Sequence, residues 1–291
     1  MKPLRQMFLE DMQMRNLSPL TQKSYVQQVS LFARHFNTSP MELGPEEIRS
    51  YQLYLTHEKK SAPSSITVAV SALRFLYGTT LHKDWRFDEV LPSPQKPDTL
   101  PVVLSPDEVL HFLECVEHLK HRTILTTCYA AGVRINEAVS LKPHHIDSQR
   151  MVIRVEQGKG MKDRYVMLSP RLLEILRQWW RTARPADWLF PGRTPEGHIS
   201  KHSVQHACHK AHQLSGIAKP ITPHSMRHAF AVHLLENGTD IRTIQLLLGH
   251  RSLGTTVQYL RIAAHKVCST TSPLDLLPHP STSANPSHQP Q

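Results

Sequence analysis

At 291 residues the chain is long enough for two ordinary domains, each able to bury its own core. Lys and Arg number 34 against 24 Asp and Glu, a formal charge of +10 with the 20 His uncharged, and this excess, spread along the chain, suits a polyanion such as nucleic acid. No apolar run reaches the ~20 residues of a membrane span, MKPLRQMFLEDMQ has charges where a secretion signal is apolar, and Cys115, Cys128, Cys208 and Cys268 show no C-x-x-C spacing, so a cytoplasmic protein with reduced thiols is expected.

Residues 1–88 predict four helices. Phe8 and Met12 mark the first, and Ser18-Pro19 caps the second, where Tyr25, Val29, Phe32 and Phe36 keep the i, i+4, i+7, i+11 spacing of one apolar face. Pro45-Glu46-Glu47 opens the third, with Ile48, Tyr51 and Leu55 inward. The fourth starts near Ser64 and carries Ile66, Val70, Leu73 and Tyr77 to a stop at Gly78. These residues alone make a small helical bundle, as well suited to binding a protein as to binding DNA. Residues 89–104 are too rich in proline for helix and read as an extended interdomain linker.

A second domain spans residues 105–267. Ser105 and Glu108 form a capping box before a helix with Val109, Phe112, Leu113 and Val116 on its inner side. The next helix, through Ile124, Leu125 and Tyr129, ends at Gly132, and Arg134 starts another. MVIRVE (151–156) and RYVML (164–168) alternate about QGKGMKD and predict an antiparallel hairpin with Lys159 at its tip. The spacing is not that of a phosphate-binding loop, so by composition Lys159 is an exposed hairpin charge. A helix follows from Pro170 to Trp180, with Trp179 and Trp180 assigned to the core for the area they bury. After the W-L-F-P-G loop, a helix from near Ser200 carries His202, His206, Cys208, His209 and His212. His202, His206 and His209 share a face at a zinc-compatible spacing. A fourth ligand is not evident, a basic DNA-facing helix explains the same residues, and no metal is assigned.

Residues 222–260 gather groups suited to one anionic ligand. Thr222 caps and Pro223 opens a helix of about four turns that Asn237-Gly238 ends. His224 and Arg227 fall on one face near its N-terminus, where free N–H groups and the dipole favour an anion, while Met226, Phe230, Leu234 and Leu235 face a core. Asp240 caps a second helix, through Ile241, Ile244, Leu247 and Leu248, that stops at Gly249 directly before His250. Ser252 caps a third, which presents Tyr259. Residues 268–291, with five prolines and Asp275 as the single charge, have the composition of a flexible tail, interrupted by an apolar island at 273–277.

H-x-x-R-H at 224–228, L-G-H at 248–250 and T-T-x-x-Y at 255–259, in this order, resemble the C-terminal signature of the tyrosine recombinase, or phage integrase, family. G-V-R-I-N-E-A at 132–138 resembles the family's G-L-R-x-x-E box, with Val133 where Leu is common, and S-P-x-T-x-x-x-Y at 18–25 resembles the opening of its N-terminal core-binding domain. The resemblance covers about residues 4–265. It implies a mainly α protein with a small β-hairpin: a helical core-binding domain (1–88), a linker (89–104) whose Lys96 reaches the DNA backbone, an α+β catalytic domain (105–267) and the tail.

The same resemblance implies the chemistry. Tyr259 attacks the scissile phosphate to give a 3′-phosphotyrosyl bond, Arg134 and Arg227 hold the phosphoryl oxygens, and Lys159 protonates the leaving 5′-oxygen. His224 assists Tyr259 as base and His250 hydrogen-bonds the phosphate. The ester keeps the bond energy, so no ATP, metal or other cofactor is implied. The expected protein is a site-specific recombinase of the bacterial cytoplasm, associated with the nucleoid, acting on double-stranded DNA as a homotetramer and monomeric when free. Its expected roles are integration, excision or resolution of DNA elements. Two other readings share the residues: a nicking enzyme like type IB topoisomerases, and a non-catalytic DNA-binding protein, metal-stabilised through its histidines. The intact set of six residues argues against the latter.

Overall fold

The computed structural model describes residues 3–92, 102–156, 163–194, 196–250 and 252–262. The chain divides into two compact units, Met1–Thr99 and Leu100–Gln291.

In the first unit, α1 (Leu4–Met14), α2 (Pro19–Phe36), α3 (Pro45–Leu53) and α4 (Pro63–Arg74) form the bundle, and a single turn, α5 (Phe87–Val90), closes it. Local chemistry sets the starts. Ser18 Oγ accepts from the Thr21 amide at 3.2 Å, and the Gly44 amide donates to Glu47 Oε2 at 2.8 Å. Phe8, Met12, Phe32, Ile48, Tyr51, Ile66, Val70, Leu73 and Tyr77 are buried together, and the Phe32 ring meets Tyr51 edge-on with centroids 5.1 Å apart. The buried Tyr77 hydroxyl donates to the Pro40 carbonyl at 2.8 Å.

Gly78 is not the expected stop. Helical backbone continues through it in a wider π turn, Phe75–Thr80, and α3 likewise runs on through Tyr54–Glu58. Gly78 serves a different purpose, since a Cβ there would stand 3.1 Å from the Phe87 ring. That is closer than nine in ten real Cβ contacts, so the glycine lets α5 pack down.

The second unit begins with α6 (Pro106–Glu114), α7 (Leu119–Ala130) and α8 (Ile135–Val139). Ser105 and Glu108 form the reciprocal cap, at 3.2 and 2.7 Å. Three antiparallel strands follow, β1 (Ile146–Asp147), β2 (Val152–Val155) and β3 (Arg164–Met167), in that spatial order. Ile153 faces Val166 and Val155 faces Arg164, so β2 and β3 are the expected hairpin strands, with Ile153, Val155 and Val166 buried. β1 was not expected: two residues give no alternation to read.

The remaining helices are α9 (Pro170–Ala183), α10 (Lys201–Ser215), α11 (Pro223–Glu236), α12 (Ile241–Leu248) and α13 (Gly254–Val257), with a final 3-10 turn, Gln258–Arg261. Trp179 and Trp180 part company. Trp179 is 6% exposed and donates to the Leu189 carbonyl at 2.7 Å, whereas Trp180 is 48% exposed. Neighbouring helical residues point about 100° apart, so one amphipathic helix cannot bury both. α11 runs through the interior, buried at Met226, Arg227, Ala229, Phe230, Ala231, Val232 and Leu235, and packs on α7, α12 and the last turn.

Candidate active site

Gly132 holds φ +62 after α7, and a Cβ there would sit 2.3 Å from the Phe230 ring. Only glycine allows this left-handed turn to pass against α11. The chain then enters α8 with Arg134 at the cap. Its backbone N–H and its Nη1 both bind Glu137, at 2.8 and 3.0 Å. Glu137 is a buried carboxylate that also receives a two-pronged bond from Arg164 on β3, at 3.0 and 2.8 Å. Arg227, only 1% exposed, stands with Nη1 4.0 Å from the same carboxylate. Its two Nη groups donate to the carbonyls of Gly132 and Leu248.

One acid therefore serves three guanidinium groups. Burial alone would raise the Glu137 carboxyl, but Arg164 and then Arg134 outweigh it and hold the group at about 2. Arg227 is lowered to about 10, by burial first and then by Arg134, and remains charged at neutral pH. Three cations against one anion leave an excess of positive charge. The buried Arg227 Nε has no protein partner among the described residues. A buried donor in positive surroundings fits an oxyanion such as a phosphodiester.

The other groups arrive from the C-terminal end of the unit. Gly249 ends α12 at φ +62, and a Cβ on it would lie 2.9 Å from Arg164 Cδ, so this glycine lets the arginine strut pass beneath. Arg164 Nε binds the Leu247 carbonyl at 3.1 Å on the same turn. His250 follows, its Nδ1 2.8 Å from the hydroxyl of the fully buried Thr256 and its carbonyl held by Gln245 Nε2 at 3.0 Å. Ser252 Oγ accepts from the Gly254 amide at 3.2 Å, and α13 lasts one turn. Tyr259 lies in the 3-10 turn beyond it, rather than in a continuous third helix.

Tyr259 is 1% exposed, and its hydroxyl lies 2.9 Å from Nδ1 of His228. The His224 and His228 rings meet edge-on with centroids 4.3 Å apart. Burial lowers all three histidines. His228 falls to about 4, helped by His224 and Arg227; His250 falls to about 4, helped by Arg227 and Arg134; His224 is lowered, helped by the same two arginines. Burial raises the Tyr259 phenol, against the opposing pull of Arg227. At neutral pH the histidines are uncharged, the tyrosine keeps its proton, and the positive charge resides on the arginines.

Arg134, His224, Arg227, His250 and Tyr259, named from sequence, thus converge on one site. Lys159 lies outside the described residues. Sequence reasoning did not single out Glu137, Arg164, His228 and Thr256. Glu137, His228 and Thr256 stand inside the quoted motifs; Arg164 had no signal, being one charged residue at the start of a strand. The histidine paired with Tyr259 from sequence was His224, whereas His228 is the one in hydrogen-bond contact.

The histidines of α10 do not gather. His202, His206 and His209 are exposed, and their ring nitrogens form no ligand group among the described residues. His144, His145 and Glu156 do place ligand atoms within 4.8 Å of one another. However, His145 Nδ1 accepts the Lys142 amide at 3.2 Å, which commits a neutral ring to a proton on Nε2, the atom facing Glu156 at 3.4 Å. That arrangement suits a structural pair better than a metal ligand.

The sequence pattern of the phage integrase family matches residues 102–266, and that of the phage integrase N-terminal SAM-like domain matches residues 4–86. The chain belongs to this family, the tyrosine recombinases. It is 65% identical over 286 residues to a putative integrase/recombinase of Sinorhizobium fredii, which covers 98% of this chain and 93% of that one. It is 32% identical over 266 residues to the tyrosine recombinase XerD of Lacticaseibacillus casei, covering 86% and 90%. Two solved structures share the fold: XerH site-specific recombinase bound to palindromic difH substrate (21% identity, 87% and 79% covered, TM-score 0.71) and a lambda integrase dimer bound to a COC' core site (18%, 87% and 92%, TM-score 0.71). No helix of the described residues is long and apolar enough to cross a membrane.

Proposed function

We propose that the chain cuts and rejoins double-stranded DNA at specific sites, with Tyr259 as nucleophile and a 3′-phosphotyrosyl intermediate. The observation that carries this reading is a buried phenol beside two arginines, one of them, Arg227, held rigidly with a buried donor unspent. A phosphodiester seated there receives charge-assisted hydrogen bonds that strengthen as negative charge builds on its oxygens in the transition state. Preorganisation supports the rate: Glu137 holds Arg134, and two carbonyls hold Arg227, before any substrate arrives. His250, neutral at working pH, presents a ring N–H to the phosphate if Thr256 donates to its Nδ1.

The leaving 5′-oxygen takes its proton from Lys159 in this reading. The N-terminal unit, which continues past the expected boundary at residue 88 through α5 and the buried Leu91, completes the grip on DNA with the chain that links it to the second unit, and recombination is carried out by a homotetramer on two duplexes. The protein works at the nucleoid of the bacterial cytoplasm. The ester bond keeps the energy of the cleaved phosphodiester, so rejoining needs neither ATP nor a metal.

The test uses nicked duplexes drawn from the genome region flanking the coding sequence. Wild-type protein is expected to leave a covalent adduct at defined positions, and Tyr259→Phe to bind the same DNA with steep salt dependence but leave none. Adduct from Tyr259→Phe would overturn the assignment. Relaxation of plasmids lacking any mapped site would favour a topoisomerase-like activity instead.

A further inference from the structure

We infer that His228 is the group that takes the phenolic proton of Tyr259 as the tyrosine attacks. This rests on the recombinase reading and adds a residue to it. Tyr259 is 1% exposed, so its hydroxyl has little access to bulk water and an acceptor within the protein is needed. His228 Nδ1 is 2.9 Å from that oxygen, within reach for direct transfer. The other neighbours are unsuited: Arg227 and Arg134 carry only donors, and the Gln258 side chain is not a base.

His224 occupies a different place. It sits one helical turn earlier on the same face of α11, keeps part of its ring open to solvent although the surrounding protein desolvates the rest, and meets His228 ring to ring. That leaves its nitrogens available to a ligand at the mouth of the site, while His228 lies between it and the phenol. Three positions on neighbouring turns of α11, i, i+3 and i+4, therefore serve three parts of one reaction: His224 at the rim, Arg227 on the phosphate, His228 on the nucleophile.

The surroundings set the resting state of the pair. Burial, then His224 and Arg227, hold the resting imidazole at about 4, so it does not deprotonate a phenol that burial has itself raised. A phosphodiester bound to the arginines brings the negative charge that lets His228 accept. The proton moves from Tyr259 Oη to His228 Nδ1 while the Oη electron pair forms the bond to phosphorus. The bond from phosphorus to the 5′-oxygen breaks, and that oxygen takes a proton from the separate acid. Rejoining reverses both transfers.

The test is single-turnover cleavage by the full chain on a suicide duplex carrying the site where wild-type protein leaves its adduct. His228→Asn keeps an acceptor toward the phenol but cannot carry its proton. It is expected to fold normally, bind normally and cleave ~10²-fold to 10⁴-fold more slowly. The deficit should persist on a 5′-bridging phosphorothiolate, whose sulfur leaves without a proton, and should shrink when a fluorinated tyrosine of lower pKa replaces Tyr259. A His224→Gln deficit should not respond to the fluorinated tyrosine. Cleavage by His228→Asn within ~3-fold of wild type, beside an inactive Tyr259→Phe, would overturn the base assignment alone. Full recovery on the phosphorothiolate would make His228 the leaving-group acid instead. Absence of any wild-type adduct would overturn the recombinase reading and this inference with it.

Discussion

Glu137→Gln tests whether one buried carboxylate organises the site. The substitution preserves shape but removes the charge that receives Arg164 at two atoms and Arg134 at a third contact. A carboxyl moved from an ordinary 4.5 to about 2 stabilises the folded state by ~3 kcal/mol, at about 1.4 kcal/mol per unit. Breaking a buried ion pair by removing one partner typically costs 3–5 kcal/mol, the same range. The folded value is depressed, so this stabilisation is complete above pH 4.5 and disappears as the pH falls towards 2. Urea unfolding of wild type and variant, repeated from pH 7 down to 3, measures it by difference, so that other acids cancel. The variant should lose ~3 kcal/mol at pH 7, a fall of ~6–12 °C in the melting temperature of a unit this size, with the gap closing in acid. Cleavage should drop by ~10²-fold at temperatures where the variant is still folded, because Arg134 is no longer held. A cost under ~1 kcal/mol at pH 7, or a gap that does not narrow below pH 4.5, would refute the reasoning.

Gly132→Ala should destabilise by ~2–5 kcal/mol, combining a left-handed backbone with a Cβ 2.3 Å from Phe230, whereas Gly216→Ala, at φ +64 in open space, should cost only ~1–2 kcal/mol by thermal unfolding. Thr256→Val should leave stability within ~1 kcal/mol yet change the ¹⁵N signature of the His250 ring and slow cleavage, with Thr256→Ser restoring both; an unchanged ring spectrum would disconnect Thr256 from the tautomer. Lys159→Ala should be slow on ordinary DNA and recover on 5′-bridging phosphorothiolate DNA; failure to recover would move the acid role elsewhere.

The helix starts and stops were legible because they are local chemistry. Ser18, Ser105, Thr222 and Asp240 accept the amide protons of the next turn, and Gly132 and Gly249 occupy left-handed positions at helix ends, whatever the rest of the chain does. The apolar rhythm of the bundle was equally readable, and so was the order of Arg134, His224, Arg227, His250 and Tyr259, since motif spacing survives without coordinates. Tertiary structure decided what each group touches. A helical stop at Gly78 and a helical pass with Phe87 packed on it need the same residue, and only the packed chain separates them. Trp179 and Trp180 are adjacent letters on opposite sides of a surface. Arg164 becomes a strut only because the β2–β3 register brings it beneath Gly249 and against Glu137, 27 residues earlier. Both histidines of H-x-x-R-H share one helical face, and sequence spacing cannot rank them. The phenol comes to His228 from 31 residues away, by the path of α12 and α13 over α11, and that long-range path is what selects the partner.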